Sequence, residues 1–138
     1  MIDFIFLLLI FLSGVSNAIM DTLADHYGIS IFSNKFFTQE FWRKNLSWKN
    51  KYKERGDTKI VNLIEKLDDG PLVFLTDGWH LFQMFWRVTL FFAILIARYT
   101  TELNITGIFW IDLIISFTII STSYLGGFVL FYNKVLVK

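Results

Sequence analysis

The 138-residue chain contains no cysteine, a single proline and two histidines, and only 18% of its residues are charged. The absence of cysteine excludes disulfide frameworks, thiolate metal sites, iron–sulfur clusters and cysteine nucleophiles. The sequence also lacks a glycine-rich phosphate loop, a G-x-S-x-G elbow and an H-E-x-x-H metal motif. Because the net charge is only +1, we expect no nucleic-acid partner.

Apolar residues are abundant, with 54% hydrophobic and 19% aromatic residues, including 16 phenylalanines. A soluble domain of this size buries too small a share of its surface to hide so many apolar side chains. Long stretches with few charges are typical of transmembrane helices. The composition therefore predicts an all-α, polytopic membrane protein that forms a single membrane domain over residues 1–138. We expect its three transmembrane helices at about 3–27, 71–98 and 106–132.

The first apolar stretch has two interpretations. Residues 4–20 carry no formal charge, and a run of this length reaches the lower limit for a membrane-spanning helix. Residues 1–18 could instead be a cleaved signal peptide, because Ser16-Asn17-Ala18 has the small residues of a cleavage site. No Lys or Arg precedes the run, and Asp3 lies there instead, which favours a retained helix.

The other two stretches carry local signals of helix boundaries and packing. Asp69-Gly70-Pro71 combines a helix N-cap with proline in the first turn, which predicts a helix start at Pro71. Gly126-Gly127 and nearby small hydroxyl residues in the third stretch are typical of close helix–helix contacts in lipid.

Basic residues concentrate in the connection between the first two helices, residues 28–70. Nine of the 13 Lys and Arg residues lie between Lys35 and Lys66, so this loop is predicted to be cytoplasmic. The C-terminus then lies on the same side and the N-terminus outside. Aromatic residues interleave with the basic ones, which predicts interfacial helices at 36–46 and 58–67. We expect the loop to contact anionic lipid headgroups, through Lys49, Lys51 and Lys53, or to dock a protein.

Polar side chains recur at helical spacing on the first two predicted helices, so each set lies on one helical face. The two sets are Ser13, Asn17, Asp21 and Asp25 on the first helix, and Asp77, His80, Met84 and Arg87 on the second.

These polar stripes are predicted to meet near the cytoplasmic membrane surface. At a rise of about 1.5 Å per residue, Asp21 lies level with His80, and His26 lies level with Asp77. Polar side chains facing lipid would be costly, so we expect the two stripes to face each other. Together with Asn17, these residues form the predicted polar site.

Carboxylates and imidazoles permit three interpretations of this site. Asp21, His26, Asp77 and His80 are ligand types that suit a divalent metal such as Zn²⁺, Mn²⁺ or Fe²⁺. The same side chains could bind and relay protons. In a purely structural interpretation, Asp77 caps a helix, His80 hydrogen-bonds across the bundle, and Asp21 marks the water boundary.

Arg87 lies near the middle of the second predicted helix and cannot lose its charge there. Asp112 on the third predicted helix is the expected partner, with Asp21 or Asp77 as the alternative. An ion pair between Arg87 and Asp112 would hold these two helices together.

Two strings stand out as whole patterns, Ser47-Trp48-Lys49-Asn50-Lys51-Tyr52-Lys53 and Val73-Phe74-Leu75-Thr76-Asp77-Gly78-Trp79-His80. Together with Asn17-Ala18-x-x-Asp21, they resemble a group of small integral membrane proteins of bacterial and phage genomes. No activity is assigned to that group, so the resemblance implies a membrane location and no reaction.

The sequence therefore predicts a small integral membrane protein with a cytosol-facing Asp/His site that binds a divalent metal or relays protons near lipid headgroups. The alternative is a non-catalytic subunit or accessory protein of a larger membrane complex. Because three helices are too few to enclose a substrate pathway, such a pathway would require a homo- or hetero-oligomer.

Overall fold

A computed structural model of the chain describes residues 4–34, 39–47, 73–100 and 105–136, and within these ranges it contains helices and turns but no strand. The prediction of an all-α protein is confirmed. The helices are α1 (Phe4–Asp25), α2 (Gln39–Trp42), α3 (Gly78–Thr100) and α4 (Phe109–Phe131), with 3-10 turns at Tyr27–Ile29, Ile31–Asn34 and Val73–Leu75 and a π-helical turn at Tyr132–Leu136.

Three helices are long and apolar enough to cross a membrane. Their apolar spans are Phe4–Asp25 with 22 residues, Gly78–Ala97 with 20 and Phe109–Leu136 with 28. At a rise of about 1.5 Å per residue, each reaches across a hydrocarbon core of about 30 Å. The structure therefore agrees with an integral membrane protein of three transmembrane helices.

The central helix is α1. Both α3 and α4 pack closely along it, whereas α3 and α4 meet each other mainly through side chains such as Leu90 and Ile120. Half of the α1 span is accordingly buried inside the protein, against 6% for the α3 span and 11% for the α4 span. The large exposed apolar side chains of α3 and α4, such as Ile94 and Phe117, are therefore available to lipid.

Contacts along α1 show that α3 runs antiparallel to it. Near the end of α1, Leu23 lies against Gly78 at the start of α3. At the other end, Phe6 and Ile10 of α1 form a cluster with Ala93 of α3. The end of α1 and the start of α3 therefore lie together.

Small residues allow α1 and α4 to cross in parallel at backbone contact. A Cβ atom on Gly14 would lie 2.1 Å from the carbonyl oxygen of Tyr124, and one on Gly127 would lie 2.2 Å from that of Phe11. Ser123 adds a hydrogen bond, because its hydroxyl donates to the Leu7 carbonyl at 2.9 Å. Gly127 thus confirms the predicted close contact. A Cβ atom on Gly126 would meet nothing within 4 Å, so this glycine takes no part.

Two predicted helix boundaries differ from the structure. The helix predicted from Pro71 begins at Gly78, because the Asp77 carboxylate accepts the His80 backbone N–H and so caps the helix there. In the described part of the predicted interfacial helix at 36–46, α2 ends at Trp42 and a turn follows. The helix predicted at 58–67 lies outside the described residues.

The packing around α1 also bears on the signal-peptide alternative. Because α3 and α4 both have their closest packing on α1, loss of residues 1–18 would remove most of their shared partner. The structure therefore gives α1 a role in holding the bundle together.

Candidate functional site

Four parts of the chain meet at one end of the bundle, which we call the loop end. The end of α1, α2, the start of α3 and the turn after α4 contribute to it. Leu23, Trp42 and Leu136 belong to one buried apolar cluster there, and Trp42 also lies against Gly78. This cluster fixes the positions of the polar residues around it.

Asp77 and His80 form a bonded pair at the start of α3. The His80 backbone N–H donates to Asp77 Oδ1 at 2.8 Å, and His80 Nδ1 lies 2.6 Å from Asp77 Oδ2. Because an ionised carboxylate only accepts hydrogen bonds, Nδ1 carries the proton of this bond. The Asp77 side chain is 1% exposed and that of His80 34% exposed, so a buried carboxylate orients an imidazole that reaches the surface.

His26 pairs with a residue that the sequence analysis did not single out. Its Nδ1 lies 2.8 Å from the hydroxyl oxygen of Tyr132, in the turn that follows α4. The two rings also meet edge to face, and Tyr132 stacks on Phe128. His26 is therefore directed toward α4, whereas Asp77 and His80 belong to α3.

Asp21 and Asn17 lie on α1, and both are half-buried. With Leu23 against Gly78 in antiparallel helices, Asp21 comes to the height of His80. Within the described residues, no hydrogen bond or ion pair joins Asp21 to His80, and the His80 ring is bonded to Asp77 instead.

The predicted metal site receives no support from this geometry. In the part of the chain that the structure describes, no group of three or more His, Asp or Glu side chains is arranged to hold a metal ion. The four predicted ligands do not converge on one point, because His26 is bonded to Tyr132 whereas His80 is bonded to Asp77.

Within the described residues, Arg87 and Asp112 do not form the predicted ion pair. Arg87 is exposed on α3. Asp112 is buried in the first turn of α4, where its Oδ1 accepts hydrogen bonds from the backbone N–H and the hydroxyl of Thr106, both at 2.8 Å. Gly107, with φ 78°, allows the tight turn between them. Asp112 thus closes the turn before α4, and no bond between Arg87 and Asp112 occurs among the described residues.

A polar cavity of about 760 Å³ opens beside the end of α1. Two cations on its wall lie over aromatic rings of neighbouring segments. The Arg43 guanidinium is 5.5 Å from the centre of the Tyr27 ring, and the Lys44 ammonium is 4.4 Å from that of Trp79. The polar side chains that line the cavity are Asp25, Ser33, Gln39, Arg43, Lys44 and Asn45.

The cavity adjoins the Asp77–His80 pair. Lys44 lines the cavity and contacts Trp79, whose ring lies edge to face with His80 at 5.1 Å. This neighbourhood is not predictable from the sequence, because contacts between a loop and two helices have no fixed spacing. The predicted lipid contacts Lys49, Lys51 and Lys53 lie outside the described residues.

Comparisons of the chain with protein-family models, with curated proteins and with solved structures find no match. The functional assignment therefore depends on the side chains at the loop end.

Proposed function

We propose that the chain is an integral membrane protein with an acid–base site at the membrane surface, in which His80 transfers a proton and Asp77 orients it. The observation that carries the proposal is the 2.6 Å bond from His80 Nδ1 to the buried carboxylate of Asp77. In a neutral imidazole with its proton on Nδ1, the lone pair is on Nε2. A general base that acts through Nε2 requires this tautomer.

The position of the pair supports a substrate that arrives at the bilayer surface. Asp77 lies directly before α3, so the pair lies where this membrane-spanning helix begins. Tyr27 and Trp79 lie nearby, and such aromatic residues are typical of the headgroup level. The basic residues of the loop predict that this side is cytoplasmic.

The test is the reactivity of the two histidines toward diethyl pyrocarbonate, which acylates neutral imidazole at its lone pair. Because the chain has only two histidines, mass spectrometry of one digest measures both. We expect His80 to react faster than His26, because the bond to Asp77 holds a proton on His80 Nδ1, whereas the Tyr132 hydroxyl donates to the lone pair of His26 Nδ1.

Asp77→Asn separates orientation of the imidazole from helix capping. Asparagine is as good an N-cap as aspartate, so α3 should still begin at Gly78. With the amide oxygen accepting the His80 backbone N–H, the amide NH₂ faces Nδ1 and favours a proton on Nε2. The His80 reaction should then slow by about tenfold or more, as expected for the wrong tautomer. Asp25→Asn removes an exposed carboxylate at the same end and serves as the matched control. An unchanged His80 rate in Asp77→Asn would mean that Asp77 only caps the helix.

The role of a non-catalytic subunit stays a prediction. It is favoured by the arrangement of α3 and α4, which leaves an apolar groove over α1 lined by Ile10, Leu90 and Ile120. Purification in a mild detergent tests it, because such a subunit should elute with a stoichiometric partner, whereas a monodisperse single chain would contradict this role.

A further inference from the structure

We propose that the cavity beside the end of α1 binds the phosphate group of an anionic glycerophospholipid. This inference concerns a different set of residues from the acid–base pair and does not depend on proton transfer by His80. The cavity combines size, charge and position in a way that fits such a headgroup.

The charge of the cavity wall selects an anion. Among the described residues that line it, Arg43 and Lys44 supply two positive charges and Asp25 one negative charge, which leaves one positive charge in excess. A planar guanidinium matches two phosphate oxygens, and an adjacent ammonium adds a third charge-assisted hydrogen bond.

Both cations are held near the cavity by aromatic rings. Tyr27 lies under the Arg43 guanidinium and Trp79 under the Lys44 ammonium. Cation–π contacts of this kind restrict long side chains that would otherwise sample many rotamers. The binding site is therefore partly formed before the ligand arrives.

Neutral polar groups complete the wall. The side chains of Gln39, Asn45 and Ser33 line the cavity beside the two cations. Their amides and hydroxyl can bond the glycerol hydroxyls of a phosphatidylglycerol headgroup. A volume of about 760 Å³ lies within the range of about 300–1,000 Å³ that is usual for small-molecule sites.

The position of the cavity favours a lipid over a soluble phosphate. Its wall begins at Leu23, in the last turn of the α1 span, and continues to Gly28 beyond it. A phosphate bound there lies at the level at which α1 leaves the hydrocarbon, so a lipid can reach it without leaving the bilayer.

The experiment compares lipid retention in the full chain and its variants. Protein is reconstituted in nanodiscs of equal phosphatidylglycerol and phosphatidylcholine, and native mass spectrometry counts the lipids that stay bound. The wild type should retain phosphatidylglycerol preferentially, and Arg43→Gln with Lys44→Gln should reduce that retention by about tenfold or more, since each charge-assisted bond is worth at least a factor of ten. Lys134→Gln removes an exposed charge at the same end of the bundle, outside the cavity wall, and should change retention less than twofold.

Asp25→Asn keeps the proposal testable if the double variant does not fold. It increases the positive excess of the cavity and should raise retention of phosphatidylglycerol several-fold. A second experiment adds sn-glycerol 3-phosphate to protein in phosphatidylcholine nanodiscs. Binding of this soluble phosphate that is weaker than binding of phosphatidylglycerol supports the lipid as the ligand. Tighter binding of the soluble compound would overturn the lipid assignment. Equal loss in Lys134→Gln, or no preference for phosphatidylglycerol in the wild type, would overturn the site itself.

Discussion

Gly127→Ala should destabilise the bundle, because this glycine lies where α1 and α4 touch. The added Cβ atom would lie 2.2 Å from the Phe11 carbonyl oxygen, and Cβ atoms essentially never approach closer than 3.0 Å, so the helices must separate by the difference, 0.8 Å. A gap of about 0.5–1 Å already forfeits a quarter to a half of the dispersion energy of each contact. The same movement stretches the Ser123–Leu7 hydrogen bond, worth about 0.6 kcal/mol in lipid.

We therefore expect Gly127→Ala to lower the free energy of unfolding by about 1–3 kcal/mol, the usual cost of overpacking. The neighbouring Gly126→Ala is the matched control, since its Cβ atom meets nothing within 4 Å. Alanine also favours helix over glycine by up to about 1 kcal/mol, so the control should be neutral or slightly stabilising. Unfolding by dodecyl sulfate in mixed micelles, followed by tryptophan emission, measures both. If Gly127→Ala resists dodecyl sulfate as well as Gly126→Ala, the close crossing is refuted.

Five further substitutions, two of which are controls, test polar contacts by the same unfolding measurement. Tyr132→Phe should cost about 1 kcal/mol through loss of the hydrogen bond to His26, and an unchanged stability would contradict that bond. Asp77→Ala should cost about 0.5–2 kcal/mol through loss of the helix cap, whereas Asp77→Asn should cost little. Ser13→Ala should stabilise the protein, because the Ser13 hydroxyl is buried with no partner within the described residues, whereas Ser16→Ala should be nearly neutral. Destabilisation by Ser13→Ala would show that the hydroxyl has a partner.

The membrane-spanning helices could be predicted because apolar runs of this length have few other stable outcomes. The uncharged run at 4–20 became α1, and the third run became α4 with its π-helical turn. The start of α3 was wrong by two turns, because Asp69 and Asp77 are both suitable N-caps, and their order of preference depends on tertiary contacts. In the structure Gly78 packs against Leu23 and Trp42, which favours a start at that glycine.

The candidate site could be predicted only in part, because helical spacing fixes contacts within a helix and not between helices. The Asp77–His80 pair is an i, i+3 contact and is therefore readable from sequence. The partner of His26 is Tyr132, more than a hundred residues away, and nothing in the spacing indicates it. The predicted partner of Asp112 lies on another helix, whereas the structure bonds Asp112 to Thr106 in the adjacent turn. The depth of a side chain along its helix therefore predicts its bonding partner less well than the hydrogen-bonding groups in the adjacent turn do.

The burial of Asp77 distinguishes it from an ordinary helix cap. A cap needs only one carboxylate oxygen near the first N–H groups, and it works equally well when the other oxygen is in water. In this chain both oxygens are occupied, one by the His80 backbone and one by the His80 ring, and the side chain is almost wholly withdrawn from solvent. Removing a charge from water is unfavourable unless it is paired, so capping alone does not account for this arrangement. A buried carboxylate that orients a half-buried imidazole is instead the arrangement that the proposed proton transfer would use.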